Sequence, residues 1–187
     1  NSTATTGGQF NNYYGFKNYK LLDIYPACFF INQDNYPSTS YIKNEGGSIN
    51  IYGKLINNPG NYIYNQTNQN NVGNIKIESG GVLQNDLDSK DSYLYEEQLL
   101  LGSVIMNYKN CIIQNNGYLY LNCKSDLTGG NEKDSPYLQN EGTLINNEGI
   151  TIEGKAILRN YGLINNENGA INLINYQNLK TQVKTRG

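Results

Sequence analysis

The sequence predicts an all-β chain, a single-stranded parallel β-helix (β-solenoid) with an aromatic N-terminal cap. Three observations predict it. Apolar residues alternate with polar ones in runs of three to five, the period of a half-buried strand. The runs end on Asn or Gly, the residues that most readily turn a chain through positive φ. The pattern then recurs: in Leu138-Gln-Asn140-Glu-Gly142-Thr-Leu144-Ile-Asn146-Asn-Glu-Gly149-Ile150-Thr-Ile152, and on to Arg159-Asn160-Tyr-Gly162, Asn140 and Asn160 hold equivalent places 20 residues apart. A coil of about 20 residues suits three short strands with a turn after each.

The elements follow in order. Residues 1–40 form an N-terminal arm and an aromatic cap. Asn1 to Gly8 is small and polar. Phe10, Tyr13, Tyr14, Phe16, Tyr19, Tyr25, Phe29, Phe30 and Tyr36 then crowd together. A solenoid leaves an open strand edge at its end, and an aromatic segment folded over that edge would close it. The alternative is that this patch docks on another subunit.

Residues 41–175 read as the solenoid. Gly47-Ser-Ile49-Asn-Ile51-Tyr-Gly53-Lys-Leu55-Ile-Asn57 gives the unit. It returns in Gly73-Asn-Ile75-Lys-Ile77 through Asn85, and in shortened form in Gly117-Tyr-Leu119-Tyr-Leu121-Asn122. Ile stacks on Ile from coil to coil, Gly permits the corner, and Asn serves the turn and stacks into an amide ladder. Five or six coils are expected. Two polar insertions, near 86–98 and 124–136, read as loops on one side of the stack. Residues 176–187 lose the Gly punctuation and read as a C-terminal tail or a capping strand.

Composition limits the chemistry. There are 33 Asn, 20 Gly and 17 Tyr, and no Trp or His. Charged residues make up 16%, against about 25% in ordinary domains. The net charge of −2 offers no basic footprint for nucleic acid, and no apolar run reaches the roughly 20 residues of a membrane span. The Asn, Ile and Tyr bias also fits an AT-rich coding genome. No signal peptide is visible, and a start on Asn1 rather than Met fits a processed product or a fragment. The odd cysteine count (Cys28, Cys111, Cys123) argues against a disulfide framework, although a bridge between Cys111 and Cys123 stays open.

No catalytic residue, cofactor or metal is expected. Without His there is neither an imidazole base nor a His-ligated zinc. Glu45, Glu78, Glu141, Glu148, Glu153 and Glu167 are single and read as solvent-facing. The acidic run Asp86-Leu-Asp88-Ser-Lys-Asp91, followed by Glu96 and Glu97, lacks the spacing of a calcium loop and reads as a solvated insertion. Asn1-Ser-Thr3 and Asn65-Gln-Thr67 are glycosylation sequons. Flat aromatic rings beside amides suit sugars or a protein partner. That makes Tyr62, Tyr64, Tyr118 and Tyr120, with Phe29 and Phe30, the candidate partner or glycan contacts.

On these repeats, residues 41–175 resemble right-handed β-helix proteins of the pectate-lyase-like and filamentous-haemagglutinin-like kind. The Asn-x-Gly-x-Ile style is similar to surface and fibre proteins of AT-rich bacteria and of large DNA viruses of protists. The resemblance implies a non-enzymatic structural component, such as a virion capsid-associated or fibre protein, at a virion or the cell exterior. Its partners would be copies of itself or other structural proteins. The alternative is a secreted adhesin or carbohydrate-binding module, and a more distant one a degenerate polysaccharide lyase or hydrolase. The irregular stretch 86–136 departs from the pattern.

Overall fold

The computed structural model describes residues 7–33, 39–58, 60–69, 71–87, 103–123, 135–166, 168–174 and 182–185. Within them the chain winds as a triangular coil, three strands to a turn. Coil one is β1 (Gln9–Asn12), β2 (Gly15–Asn18) and β3 (Leu21–Ile24). Coil two is β4 (Phe29–Asn32), β5 (Tyr41–Glu45) and β6 (Ser48–Ile51). Coil three is β7 (Lys54–Asn57), β8 (Tyr62–Gln66) and β9 (Asn74–Ile77). Coil four is β10 (Val82–Leu87), β11 (Val104–Asn107) and β12 (Ile112–Asn115). Coil five is β13 (Tyr118–Cys123), β14 (Tyr137–Asn140) and β15 (Thr143–Asn146). Coil six is β16 (Gly149–Gly154), β17 (Ile157–Asn160) and β18 (Leu163–Asn165), and β19 (Ala170–Ile174) with β20 (Gln182–Thr185) begin a seventh.

Every strand pairs in parallel with its counterpart one coil away. This gives a first sheet of seven strands from β1 to β19, a second of seven from β2 to β20, and a third of six from β3 to β18. Strand spacing of about 4.8 Å makes the seven-strand walls about 29 Å tall.

Most strands have one form: outward residue, apolar residue, outward residue, Asn. In β8, Ile63 and Asn65 are buried while Tyr62, Tyr64 and Gln66 face out. Register stacks the apolar positions into columns. The second sheet stacks Phe16, Ile42, Ile63, Ile105, Leu138 and Leu158. The third stacks Leu22, Ile49, Ile75, Ile113 and Leu144. A fully buried aliphatic side chain contributes about 1.5–3 kcal/mol, and no single coil can enclose its own.

The fourth position is the unusual part of the core. Ten hydrogen bonds of 2.6–2.8 Å link inward asparagines on successive coils. In the first sheet they run through Asn12, Asn32, Asn57 and Asn85. In the second they run through Asn18, Asn44, Asn65, Asn107, Asn140 and Asn160. A third ladder begins at Asn115 and continues through Asn146 to Asn166. Where a next rung exists, the amide N–H pair donates to it and again to backbone carbonyls, as Asn65 does to Gly73 and Ile112; at the ladder ends Asn85, Asn160 and Asn166 donate to carbonyls. That second donation ties the strand end to the corner that follows.

The ladders change partners at coil four. Above Asn85 the first sheet carries Leu121 and Ile152. Below Asn115 the third carries Ile77, Ile51 and Ile24. Coils one to three therefore have amides at two corners and Ile at the third. Coil four has three amides, and coils five and six have an apolar residue at the opposite corner.

Corners are tight. Four-residue turns with a left-handed third residue recur at Ala27 (φ 62°), Gly60 (75°), Gly80 (78°) and Asn110 (68°). Gly81 closes the turn of Gly80 by donating to the Glu78 carbonyl at 2.8 Å. A Cβ on Gly81 would collide with the Ile51 carbonyl of the coil beneath.

Several expectations take a different shape. Regular pairing begins at Gln9 rather than near Tyr41, since β1 pairs with β4 and β2 with β5. The aromatic segment does occupy the end of the stack. It does so as the first coil and part of the second, with Phe10, Phe16 and Phe30 turned inward, not as a layer folded across them. Residues 182–185, inside the expected tail, form β20 against β17. The two insertions join first-sheet strands to second-sheet strands, and apart from 86–87 and 135–136 they lie outside the described residues. Asn65, the first residue of a sequon, is fully buried in its ladder and presents no free amide. Asn1-Ser-Thr3 lies outside the described residues. Cys111 is a free, buried thiol, so it is not bridged to Cys123.

Candidate functional site: the tyrosine wall

With the interior filled by Ile, Leu and Asn, recognition is left to the three outer walls. The first and third positions of most strands face outward, although Val104 and Ile157 are buried, and parallel register aligns these positions into vertical columns. On the second sheet the first-position column reads Tyr41, Tyr62, Val104, Tyr137 and Ile157. The third-position column reads Lys17, Lys43, Tyr64, Met106, Gln139 and Arg159.

The rings of this wall touch one another. Tyr62 and Tyr64, two residues apart on β8, stack with centroids 5.6 Å apart and planes 5° from parallel. Tyr64 also meets Tyr108 at 6.3 Å and a 35° tilt. Lys43 Nζ lies 5.0 Å from the Tyr41 centroid and 5.7 Å from that of Tyr64. Arg159 sits 4.5 Å over Tyr137. Each contact is of the cation–π kind, worth about 0.5–1 kcal/mol at exposed sites.

Crowding moves the phenols. Burial, then the neighbouring Tyr62, Tyr108 and Tyr137, push Tyr64 up to about 12. Burial also raises Tyr137, against a downward pull from the Arg159 guanidinium. These hydroxyls stay protonated at neutral pH, so they can both donate and accept hydrogen bonds.

The six sequence-derived contacts divide among three places. Tyr62 and Tyr64 share the second wall. Tyr118 and Tyr120 share the first wall, stacked at 6.1 Å and 22°. Phe29 lies on that same first wall, 41% exposed. Phe30 points the other way and is 4% exposed, because neighbouring strand residues face opposite sides. It belongs to the core rather than to a contact surface. With Phe10, Phe16, Leu22 and Ile24 it lines an apolar cavity of about 280 Å³ at the first coil. Phe10 is 50% exposed there.

Sequence reasoning missed Tyr41, Lys43, Tyr137 and Arg159. The signal was present: each stands one or three residues before a ladder Asn, the same phase as Tyr62 and Tyr64. Among the described residues there is no group of three or more His, Cys, Asp or Glu that could hold a metal ion. The acidic run from Asp88 to Asp91, with Glu96 and Glu97, lies outside them.

Comparison with known protein families, with curated proteins and with solved structures finds no match.

Proposed function

We propose that the chain is a non-enzymatic structural rod of a larger assembly, a fibre or virion-associated component that acts through its walls and ends. The observation that carries this reading is the continuous stack with three amide ladders inside it. Such a stack fills the interior above the first coil's apolar cavity with packed aliphatic side chains and hydrogen-bonded amides. The first coil supports a role in assembly. Its three strands pair on one side only among the described strands, and it holds the apolar cavity around Phe10 and Phe16. Kinship with right-handed β-helix repeat proteins, and a place at a virion or cell exterior, belong to the same proposal.

Sedimentation equilibrium across a concentration series tests it. A stable closed oligomer, or mass that grows with concentration and falls in Phe10→Lys, is the expected result. A strict monomer at every concentration would overturn the self-assembling rod.

A second reading, an adhesin or glycan-binding module, is favoured by the hydroxyl-bearing tyrosine wall. The rings of Tyr62 and Tyr64 cover one face of each other. That weakens a flat stacking platform for neutral sugars and leaves ring edges, hydroxyls and nearby cations as the contacts.

A further inference from the structure

The two ends of the stack are made of matching parts. Among the described strands β1, β2 and β3 each pair on one side only, and so do β18, β19 and β20 at the other end. Each end therefore shows three rows of backbone N–H and C=O groups that a further parallel strand would take up. The apolar columns also stop short there. The first-sheet column runs from Phe10 to Ile171, and its members from Phe30 to Ile150 are buried. Phe10 is half exposed. Phe16 begins the second-sheet column, Ile164 ends the third and Ile171 ends the first, and all three are only partly buried.

Strand count sets how two such ends meet. The twenty described strands, three to a coil, make six coils and two strands over. The chain visits the first, second and third sheets in turn, so the next seat after β20 is on the third sheet, above β18. Three consecutive strands starting in that seat cover β18, β19 and β20 without a gap. Starting above β19 instead leaves a vacant strand width over β18.

We propose that a second copy of the chain takes these seats, with its β1 on β18, its β2 on β19 and its β3 on β20. Each copy in the resulting filament is turned by one corner of the triangle, about 120°, from the copy before it and rises about 32 Å. In that join Ile164 comes under Phe10 of the next copy and Ile171 under its Phe16. These contacts close the open side of the cavity of about 280 Å³ that Phe10, Phe16 and Leu22 line. Asn166, the end of the third ladder, comes under Asn12, the start of the first. Asn166 Nδ2 gives one hydrogen to the Gly169 carbonyl at 2.9 Å, and its second then has Asn12 Oδ1 as acceptor. The other fourth positions change type, Asn18 over Leu173 and Ile24 over Thr185, as the stack already does at Asn85–Leu121 and Ile77–Asn115. A lipid or a small apolar molecule would cover Phe10 but leave the three strand edges unpaired, whereas another parallel coil satisfies both. The inference rests on the reading of the chain as a self-assembling rod, and names its partner and its join.

The test is disulfide trapping of the full chain, read beside sedimentation. Gln9 and Leu163 are exposed and stand at opposite ends of one chain, yet are direct neighbours across the join. Gln9→Cys/Leu163→Cys should therefore give ladders of crosslinked copies under mild oxidant, reversed by reductant. Ala170 is exposed too, but in this join it lies on another wall from Gln9, beyond the roughly 7 Å that a disulfide spans. Gln9→Cys/Ala170→Cys should crosslink at least about tenfold less, and would do so readily only if copies stacked wall over wall. Phe10→Lys and Ile164→Lys should each be monomeric alone and form a dimer when mixed, since each keeps one intact end. Far-ultraviolet circular dichroism checks that every variant is folded. Absence of the Gln9–Leu163 crosslink, equal crosslinking through Ala170, or association that stops at a closed ring would each overturn the join and leave an assembling rod standing. A strict monomer would remove the rod and the join together.

Discussion

Asn107→Ala removes the middle of the longest ladder. Asn107 is fully buried. It accepts from Asn65 Nδ2 at 2.8 Å and donates to Asn140 Oδ1 at 2.7 Å. It also donates to the carbonyls of Cys111 at 3.3 Å and Thr143 at 3.2 Å. Truncation leaves the Asn140 oxygen without its rung. Asn65 loses less, because its amide keeps the carbonyls of Gly73 and Ile112. A buried polar group left unsatisfied costs about 1–3 kcal/mol. One full loss, one partial loss and an unfilled space where the amide stood sum to about 3–5 kcal/mol. Asn160→Ala is the internal comparison. Asn160 is joined to a single described Asn rung, and its removal leaves Asn140 still donating to Leu163 at 2.9 Å. That variant should lose about 1–2 kcal/mol. Urea unfolding followed by far-ultraviolet circular dichroism measures both, since the regular structure among the described residues is strand. An interior loss no greater than the terminal one, or an interior loss below about 1 kcal/mol, would refute the claim that the ladder acts as a connected series.

Other outcomes follow from the same geometry. Gly81→Ala should lower the unfolding midpoint more than Gly80→Ala, because a Cβ at 81 meets the Ile51 carbonyl while one at 80 meets open space despite its φ of 78°. The expected costs are more than about 3 kcal/mol for the first and about 1–2 for the second. Raising the pH should erode stability in a window from about 10, the unfolded phenol, to about 12, the folded Tyr64. Over that window the folded state binds more protons than the unfolded state. Tyr64→Phe should flatten that limb of a pH–stability curve, and an unchanged curve would count against the crowded phenol. The Cys111 thiol, raised by burial, should react with a disulfide reagent only at the rate of unfolding, and fast modification of the native chain would contradict its placement.

The sequence carried the coil period, the strand alternation and the stacking of Ile on Ile. The amide ladder was legible too, and its rungs are present; what the sequence obscured was that the ladder runs inside the core. The asparagines read as corner residues because each ends a strand, yet Asn57 stands two residues after Leu55 and so must share its face. Period 2 alone assigns it to the interior. Burying an amide costs enough that turn chemistry looks the safer reading; the cost vanishes only when the next coil supplies another Asn in register. That condition depends on stacking that no local window contains. The first coil and the start of the second were missed for a related reason. Phe29 and Phe30 are both apolar but face opposite ways, so alternation is masked, although Gly15-Phe-Lys-Asn18 and Phe29-Phe-Ile-Asn32 both keep the terminal Asn. The tyrosine wall was half legible. Spacing along one strand paired Tyr62 with Tyr64, but the approach of Lys43, Tyr108 and Tyr137 needs the vertical register between coils.

The amide ladders also have a direction. In every rung of the three inward ladders the Nδ2 group gives its hydrogen toward the later coil and Oδ1 receives from the earlier one, whereas the outward pair Asn147–Asn116 runs the other way. The ladder dipoles add vectorially, so a cross-section through the inward ladders is never symmetric: one cut face shows ladder acceptors and the other ladder donors. Two identical faces brought together would oppose oxygen to oxygen or N–H to N–H. Only unlike faces continue the seam. Any lengthening of this stack by further coils is therefore unipolar, a heterologous join rather than a two-fold one, and the compass needle for it is the amide of asparagine.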